Sequence, residues 1–130
     1  MLKIISINDG RSFMMPASIK LRCLPGMFGD LTRTGKIVAS KGKNPYALID
    51  DLKTDTESTF TDSVTMWQAA GVYETDQFVK QGKYDKGSLL YVGKMSRLTS
   101  HRNKNQKPIG IVEELIDGIL RFQYFGHFHY

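Results

Sequence analysis

A single cysteine in 130 residues, Cys23, excludes an internal disulfide framework and any thiolate-rich zinc site. Its apolar neighbours Leu21 and Leu24 mark it as a small buried hydrophobe rather than a reactive thiol. Long hydrophobic runs are scarce as well. The stretch Ser88-Leu89-Leu90-Tyr91-Val92 is among the longest, so neither a membrane span nor a secretory leader is expected, and no membrane partner. Helical periodicity is also lacking. The best helical candidate, residues 47–53, is short and follows Asn44-Pro45, where the proline pushes Asn44 toward an extended backbone.

The raw materials of catalysis are thin. There is no G-x-x-x-x-G-K-[ST], no G-x-G-x-x-G after a strand and no G-x-S-x-G, so phosphate cradles and nucleophile elbows lack a sequence basis. The pairs Asp50-Asp51 and Glu113-Glu114 place neighbouring carboxylates on opposite faces of a strand, where they cannot serve one reacting atom. They read as solvated strand ends. His127 and His129 share a face if the terminus is a strand, but no third metal ligand accompanies them, and His101 sits among cations. No enzyme activity, cofactor or metal site is expected.

What is present is β-forming. With 41% hydrophobic and 24% charged residues the chain should fold as one globular domain rather than remain disordered. Short β-branched and aromatic runs cut by Gly, Pro, Asn and Asp predict strands at 2–7, 18–23, 36–40, 46–49, 61–67, 73–79, 88–92, 97–99, 109–113 and 119–128. The expected fold is all-β, a small β-barrel or β-sandwich of about 8–10 short strands. Residues 35–130 form its core, and 1–34 an N-terminal arm or an added strand pair. Asp9-Gly10 and Asp117-Gly118 are turn signals, the latter predicting an antiparallel hairpin between the last two strands. Residues 25–30, 54–59 and 99–106 read as loops.

Two further patterns bear on function. Gly35-Lys36-Ile37-Val38 with the segment from Pro45 to Leu52 resembles Gly87-Ser88-Leu89-Leu90 with the segment from Pro108 to Leu115. This reads as an internal repeat whose second copy has a loop about ten residues longer. The charge is also uneven. Residues 50–76 are acidic apart from Lys53, whereas Lys80, Lys83, Lys86, Lys94, Arg97, Arg102, Lys104 and Lys107 face only Asp85. The cations could suit an acidic protein surface. They could equally suit a single-stranded nucleic acid on an OB-like barrel, with Tyr84, Tyr91 and Phe122 to Phe125 as stacking platforms. Tyr91 and Phe122 fall at strand positions that a core would claim, so nucleic acid is the lesser expectation.

The C-terminal half carries Glu74-Thr75-Asp76-Gln77-Phe78, Tyr84-Asp85-Lys86-Gly87-Ser88-Leu89-Leu90-Tyr91-Val92, Arg97-Leu98-Thr99 and Pro108-Ile109-Gly110-Ile111-Val112. In that order, over residues 74–128, these pieces resemble the capsid decoration (cement) proteins of tailed phages. The resemblance implies a virion protein, assembled in the host cytoplasm, that binds the outside of a capsid and staples capsomers without chemistry. It implies the major capsid protein or another virion protein as partner, and a homo-oligomer, with a trimer favoured. A neck, tail or baseplate component is the alternative. The contact residues expected are Lys94, Arg97, Arg102, Lys104 and Lys107 in the expanded loop, with Met1, Leu2, Ile4, Phe125, Phe128 and Tyr130 at the termini.

Overall fold

The computed structural model describes residues 1–7, 10–18, 21, 23–53, 63–103 and 105–127. It is nearly all β, with 48% of residues in strands, arranged as two antiparallel sheets that do not close into a barrel. The strands are β1 (Leu2–Ile7), β2 (Phe13–Pro16), β3 (Phe28–Leu31), β4 (Ile37–Ala39), β5 (Ala47–Lys53), β6 (Ser63–Trp67), β7 (Gly71–Thr75), β8 (Leu89–Val92), β9 (Leu98–Thr99), β10 (Gly110–Ile116) and β11 (Ile119–Tyr124). One sheet has the order β1-β7-β11-β10-β8-β9, the other β2-β6-β5-β3-β4. Of the two expected architectures, a closed barrel is not formed, and the two sheets are compatible with the small sandwich.

The two strand orders are one path drawn twice. Replacing β2, β3, β4, β5 and β6 by β7, β8, β9, β10 and β11 converts the smaller sheet into the larger one without β1. The registers follow. Leu31 pairs with Ile37 as Val92 pairs with Leu98, Gly29 with Ala47 as Leu90 with Gly110, and Phe13 with Met66 as Tyr73 with Phe122. Even the irregularities repeat. A bulge between Ile49 and Asp51 recurs between Val112 and Glu114, and the isolated parallel bridge Ala17 to Ile37 recurs as Phe78 to Leu98. The loop bonds Gly26 N to Ile49 O and Gly87 N to Val112 O also correspond. The described chain is thus two copies of one five-stranded unit, β2 to β6 and β7 to β11, with β1 added beside β7.

This match corrects the repeat read from the sequence. The counterpart of Gly87 is Gly26, both with positive φ (91° and 98°), and Gly35 lies out of phase with it. In phase, Arg33, Lys36, Lys41 and Lys43 stand opposite Lys94, Arg97, Arg102 and Lys104, and Pro45 opposite Pro108. The second loop is longer only by Gln106 and Lys107, not by about ten residues. Within the first copy as read from the sequence, 35–38 and 45–52 fall on β4 and β5, which are separated by β3.

Each unit curls around a core of its own. In the first it is made by Phe13, Ala17, Cys23, Ile37, Ile49, Val64 and Met66, and in the second by their counterparts Tyr73, Phe78, Tyr84, Leu98, Val112, Leu120 and Phe122. The units then join. Phe28 and Leu48, paired across β3 and β5, leave the first unit's outer face and complete the second unit's core, where Phe28 meets Tyr124 edge-on at 5.8 Å. Both are fully buried, worth about 1.5–3 kcal/mol each in apolar transfer. Leu2, Ile4 and Ile7 of β1 pack on the same core. The N-terminal amino group donates to Asp76 Oδ1 at 2.8 Å and to Pro25 O at 2.9 Å, tying β1 to both units and holding the Asp76 carboxyl below its ordinary range.

Several expected elements fall differently. Residues 1–34 supply β1 to one sheet and β2 and β3 to the other. Phe13–Pro16 and Phe28–Leu31 were not expected as strands, the latter because Pro25, Gly26 and Gly29 read as a loop. The described residues of 18–23 lie outside any strand, 47–53 is strand rather than helix, and the strands expected at 73–79 and 119–128 end at Thr75 and Tyr124. Asp50 and Glu113 do not end their strands but sit at the bulges, where Trp67 Nε1 donates to Asp50 Oδ2 at 2.9 Å. Asp117-Gly118 forms its hairpin turn, with φ of 54° and 76° matching type I′. The turn at Asp9 and the loop at 54–59 lie outside the described residues.

Two measurements check this packing. A Cβ on Gly26 would collide with Thr75 Oγ1 across the unit junction, whereas a Cβ on Gly87 meets open space. In urea denaturation, Gly87→Ala should cost about 1–2 kcal/mol, the positive φ alone, and Gly26→Ala clearly more. The second concerns alkali. Burial pushes the Tyr73 phenol up to about 12, with the Asp50 carboxylate adding to the effect, and burial pushes Tyr124 up as well. Because the folded state holds these protons more tightly, stability is full below the ordinary phenol value of about 10 and should fall as pH rises above it. Phenolate absorbance should therefore develop together with unfolding.

Candidate functional site

The repeat places two cation-bearing loops at one end of the molecule. In each unit the chain passes from the second strand (β3 or β8) to the third (β4 or β9) through a tight turn, closed by Thr32 N to Lys36 O at 2.8 Å in the first unit and by Gly93 N to Arg97 O at 2.8 Å in the second. It then crosses to the proline-led strand. No acidic residue occurs in 32–46 or in 93–109. Arg33, Lys36, Lys41 and Lys43 of the first loop and Lys94, Arg102 and Lys107 of the second are exposed, and Arg97 is half-buried.

Buried hydrogen bonds join the two loops. Ser96 Oγ donates to Ser40 O at 2.7 Å, and Gln106 Nε2 donates to Gly42 O at 3.1 Å and to Val92 O at 2.7 Å. Gln106 Oε1 accepts from Asn103 N at 3.0 Å, and Gln106 O from Arg102 Nε at 3.3 Å. Gly42 lies so close to Val92 O that no Cβ fits between them. Met95 and Ser96 both take left-handed backbone (φ 56° and 61°), a costly arrangement for residues with side chains that aims Ser96 at the first unit. The inserted Gln106 is thus the tether between the units, and the cations around it share one scaffold.

Beside this end lies a cleft of about 400 Å³, lined by Val79, Gln81, Gly93, Lys94, Thr99, His101 and Asn103. Arg97 Nε is buried with no hydrogen-bond partner, as is Asp30 Oδ1, while Asp30 Oδ2 accepts from Lys41 N at 3.2 Å. Cations fixed at one end of a small protein create a local positive field. Such a field suits a flat acidic surface, and its effect weakens with salt.

The sequence-derived contact residues divide under this geometry. Lys94, Arg97, Arg102 and Lys107 belong to the basic end, and Lys104 lies outside the described residues. Leu2 and Ile4 pack against the chain's own core, and Met1 is bound by its amino group to Asp76 while its side chain stays exposed. Phe125 is half-buried, with its N–H bonded to Ile109 O at 2.9 Å. Phe128 and Tyr130 lie outside the described residues, as does His129. The His127 ring packs on Tyr46 at 5.2 Å. Arg33, Lys36, Lys41 and Lys43 were missed as site residues. Their matched spacing with Lys94, Arg97, Arg102 and Lys104 was visible in the sequence, but the out-of-phase repeat hid it.

Among the described residues no three His, Cys, Asp or Glu side chains come together to hold a metal, and no helix is long and apolar enough to cross a membrane. Cys23 is buried, which pushes its thiol up. No known family model and no curated protein matches the chain.

If Gln106 joins the two loops, Gln106→Ala should strand the Gly42 and Val92 carbonyls and the Asn103 N–H. The expected loss is about 2–3 kcal/mol in urea denaturation, since each buried unsatisfied group costs about 1–3 kcal/mol and the groups are not independent.

Proposed function

We propose that the chain is a virion structural protein without catalytic activity, a capsid decoration protein that binds the outer surface of a phage shell and strengthens contacts between capsomers. The observation that carries this reading is the doubled set of cations, one from each repeat, on a scaffold braced by buried bonds. A surface that must hold a fixed place on a large partner gains from rigid, multiply placed charges, because little side-chain and loop entropy is lost on docking. The likeness of residues 74–128 to decoration proteins supports the same reading. It coincides with the complete second unit, whose Leu-Leu-Tyr-Val, Leu-Thr and Pro-Ile-Gly-Ile-Val segments form or lead into β8, β9 and β10. The partner in this reading is the major capsid protein or a neighbouring virion protein, and the working form is a homo-oligomer.

A neck, tail or baseplate position uses the same charges, and the copy number on the particle separates these places. Single-stranded nucleic acid is less well served. Among the described residues no Phe, Tyr or Trp side chain is fully exposed, and His101 is the one exposed ring beside the cations, so stacking platforms are scarce.

The test is occupancy on the purified parent particle. Because Gln106 is structural, removing 100–106 would not isolate the charges, whereas Arg33→Glu/Lys41→Glu/Lys94→Glu alters exposed side chains outside the Gln106 hydrogen-bond network. This triple variant should keep its thermal midpoint and lose at least about tenfold in particle binding, as expected for three rim charges worth about 0.5 kcal/mol or more each. Wild-type binding should weaken as salt rises. Undiminished occupancy of the variant would overturn the assignment, and tight salt-dependent binding of oligonucleotide in place of particles would favour the nucleic-acid reading.

A further inference from the structure

The junction between the two units also describes a surface that is left open. In the first unit, Gly26, Phe28 and Leu48 are covered by the second unit: Gly26 abuts Thr75, Phe28 meets the Tyr124 ring, and Phe28 and Leu48 have 0% exposure. Their counterparts in the second unit are Gly87, Leu89 and Ile111, paired in the same way across β8 and β10. Here the cover is gone. Nothing lies within 4 Å of a Cβ on Gly87, Leu89 is 44% exposed and Ile111 is partly exposed. An aliphatic pair thus stands in the open where the fold's own repeat buries an aliphatic and an aromatic residue.

We infer that this face of the second unit docks the first unit of another copy of the same chain, repeating between molecules the contact that the two units make within one. The occupant follows from continuity with the internal junction. What covers Phe28 and Leu48 is a five-stranded unit of this fold, and among the described residues the unit whose corresponding side holds no such pair is the first one, since the second already holds Phe28 and Leu48. There Tyr46 stands edge-on to Phe13 at 6.1 Å and Gln68 Nε2 donates to Tyr46 O at 2.9 Å, so the incoming pair would seat beside Tyr46. On that receiving side Phe13, Met15 and Gln68 take the places of Tyr73, Thr75 and Tyr124. Both Phe13 and Met15 are only partly buried, and β2 is the outermost strand of its sheet, while the equivalent β7 is flanked by β1. The contact joins two different surfaces, so successive copies form a closed ring or an open stack rather than a two-fold dimer. It stands on the repeat alone and does not depend on the capsid reading.

Native mass against concentration tests it, using the full chain. The wild-type protein should exceed one chain's mass at high micromolar concentration, and Leu89→Asp/Ile111→Asp should return it to one chain's mass with an unshifted thermal midpoint. A second experiment fixes the geometry and does not rely on that variant's folding. Cys23 is buried, so introduced thiols report cleanly. Leu89→Cys/Gln68→Cys should give interchain disulfides under mild oxidation, and neither single variant should. A wild-type chain that stays monomeric to millimolar concentration would overturn the inference. So would an unchanged mass in the double Asp variant, or a crosslink through Leu89→Cys alone, which requires two identical faces to meet. A wild-type chain that self-associates but does not bind the particle would count against the proposed function only.

Discussion

Phe28 and Leu48 stand side by side on one sheet and fill the open side of the other, with Phe28 edge-on to Tyr124. Sheets of four or five short strands cannot curl tightly enough to cover a core completely, so each unit requires a lid. For the second unit that lid is the outer face of the first. Removing the contact would expose the rings of Tyr73, Phe122 and Tyr124 together with Leu120 and Val112, and would release β1, whose inward side chains rest on the same cluster. The size of the domain follows from this need, since neither unit can bury enough apolar surface without the other.

The polar join at the basic end is subordinate to that packing but not incidental. Two loops rich in Lys and Arg repel each other when brought together, and the described residues offer few carboxylates nearby to compensate. Backbone carbonyls of Ser40, Gly42 and Val92, held by Ser96 and Gln106, keep the loops in place without neutralising them. Charge is therefore retained at the surface while the scaffold beneath is fixed by neutral hydrogen bonds. Elsewhere the opposite arrangement appears: Arg121 lies between Glu74 at 3.1 Å and Glu114 at 3.8 Å, and Lys3 is in register with Glu74. The outer face of the larger sheet is in this way balanced in charge.

Duplication explains why the same residue types recur at places of different fate. Gly26 and Gly87, Phe28 and Leu89, and Leu48 and Ile111 share backbone geometry, yet one member of each pair is sealed and the other open. The residues at the sealed positions are the larger or more tightly constrained.

The all-β class, the β11 hairpin and most strand positions were set by local pattern: alternation along 63–67 and 119–124, β-branched and aromatic runs, and turn residues whose backbone preferences are intrinsic. The cations of 94–107 were legible for the same reason, since composition alone places them in a loop. Local pattern did not decide which strands are neighbours. Phe28–Leu31 is a strand because it pairs with Ala47 to Leu48 on one side and Ile37 to Ala39 on the other, despite its glycines, and only the folded chain supplies those partners. The phase of the repeat was likewise hidden, because beyond Gly26 and Gly87, the two prolines and the loop cations the match depends on registers and bulges rather than on shared residues. The assembly of Arg33, Lys36, Lys41 and Lys43 with Lys94, Arg97 and Arg102 on one end was decided by tertiary structure as well. It rests on a long-range contact between two units, and no sequence window contains both sides of it.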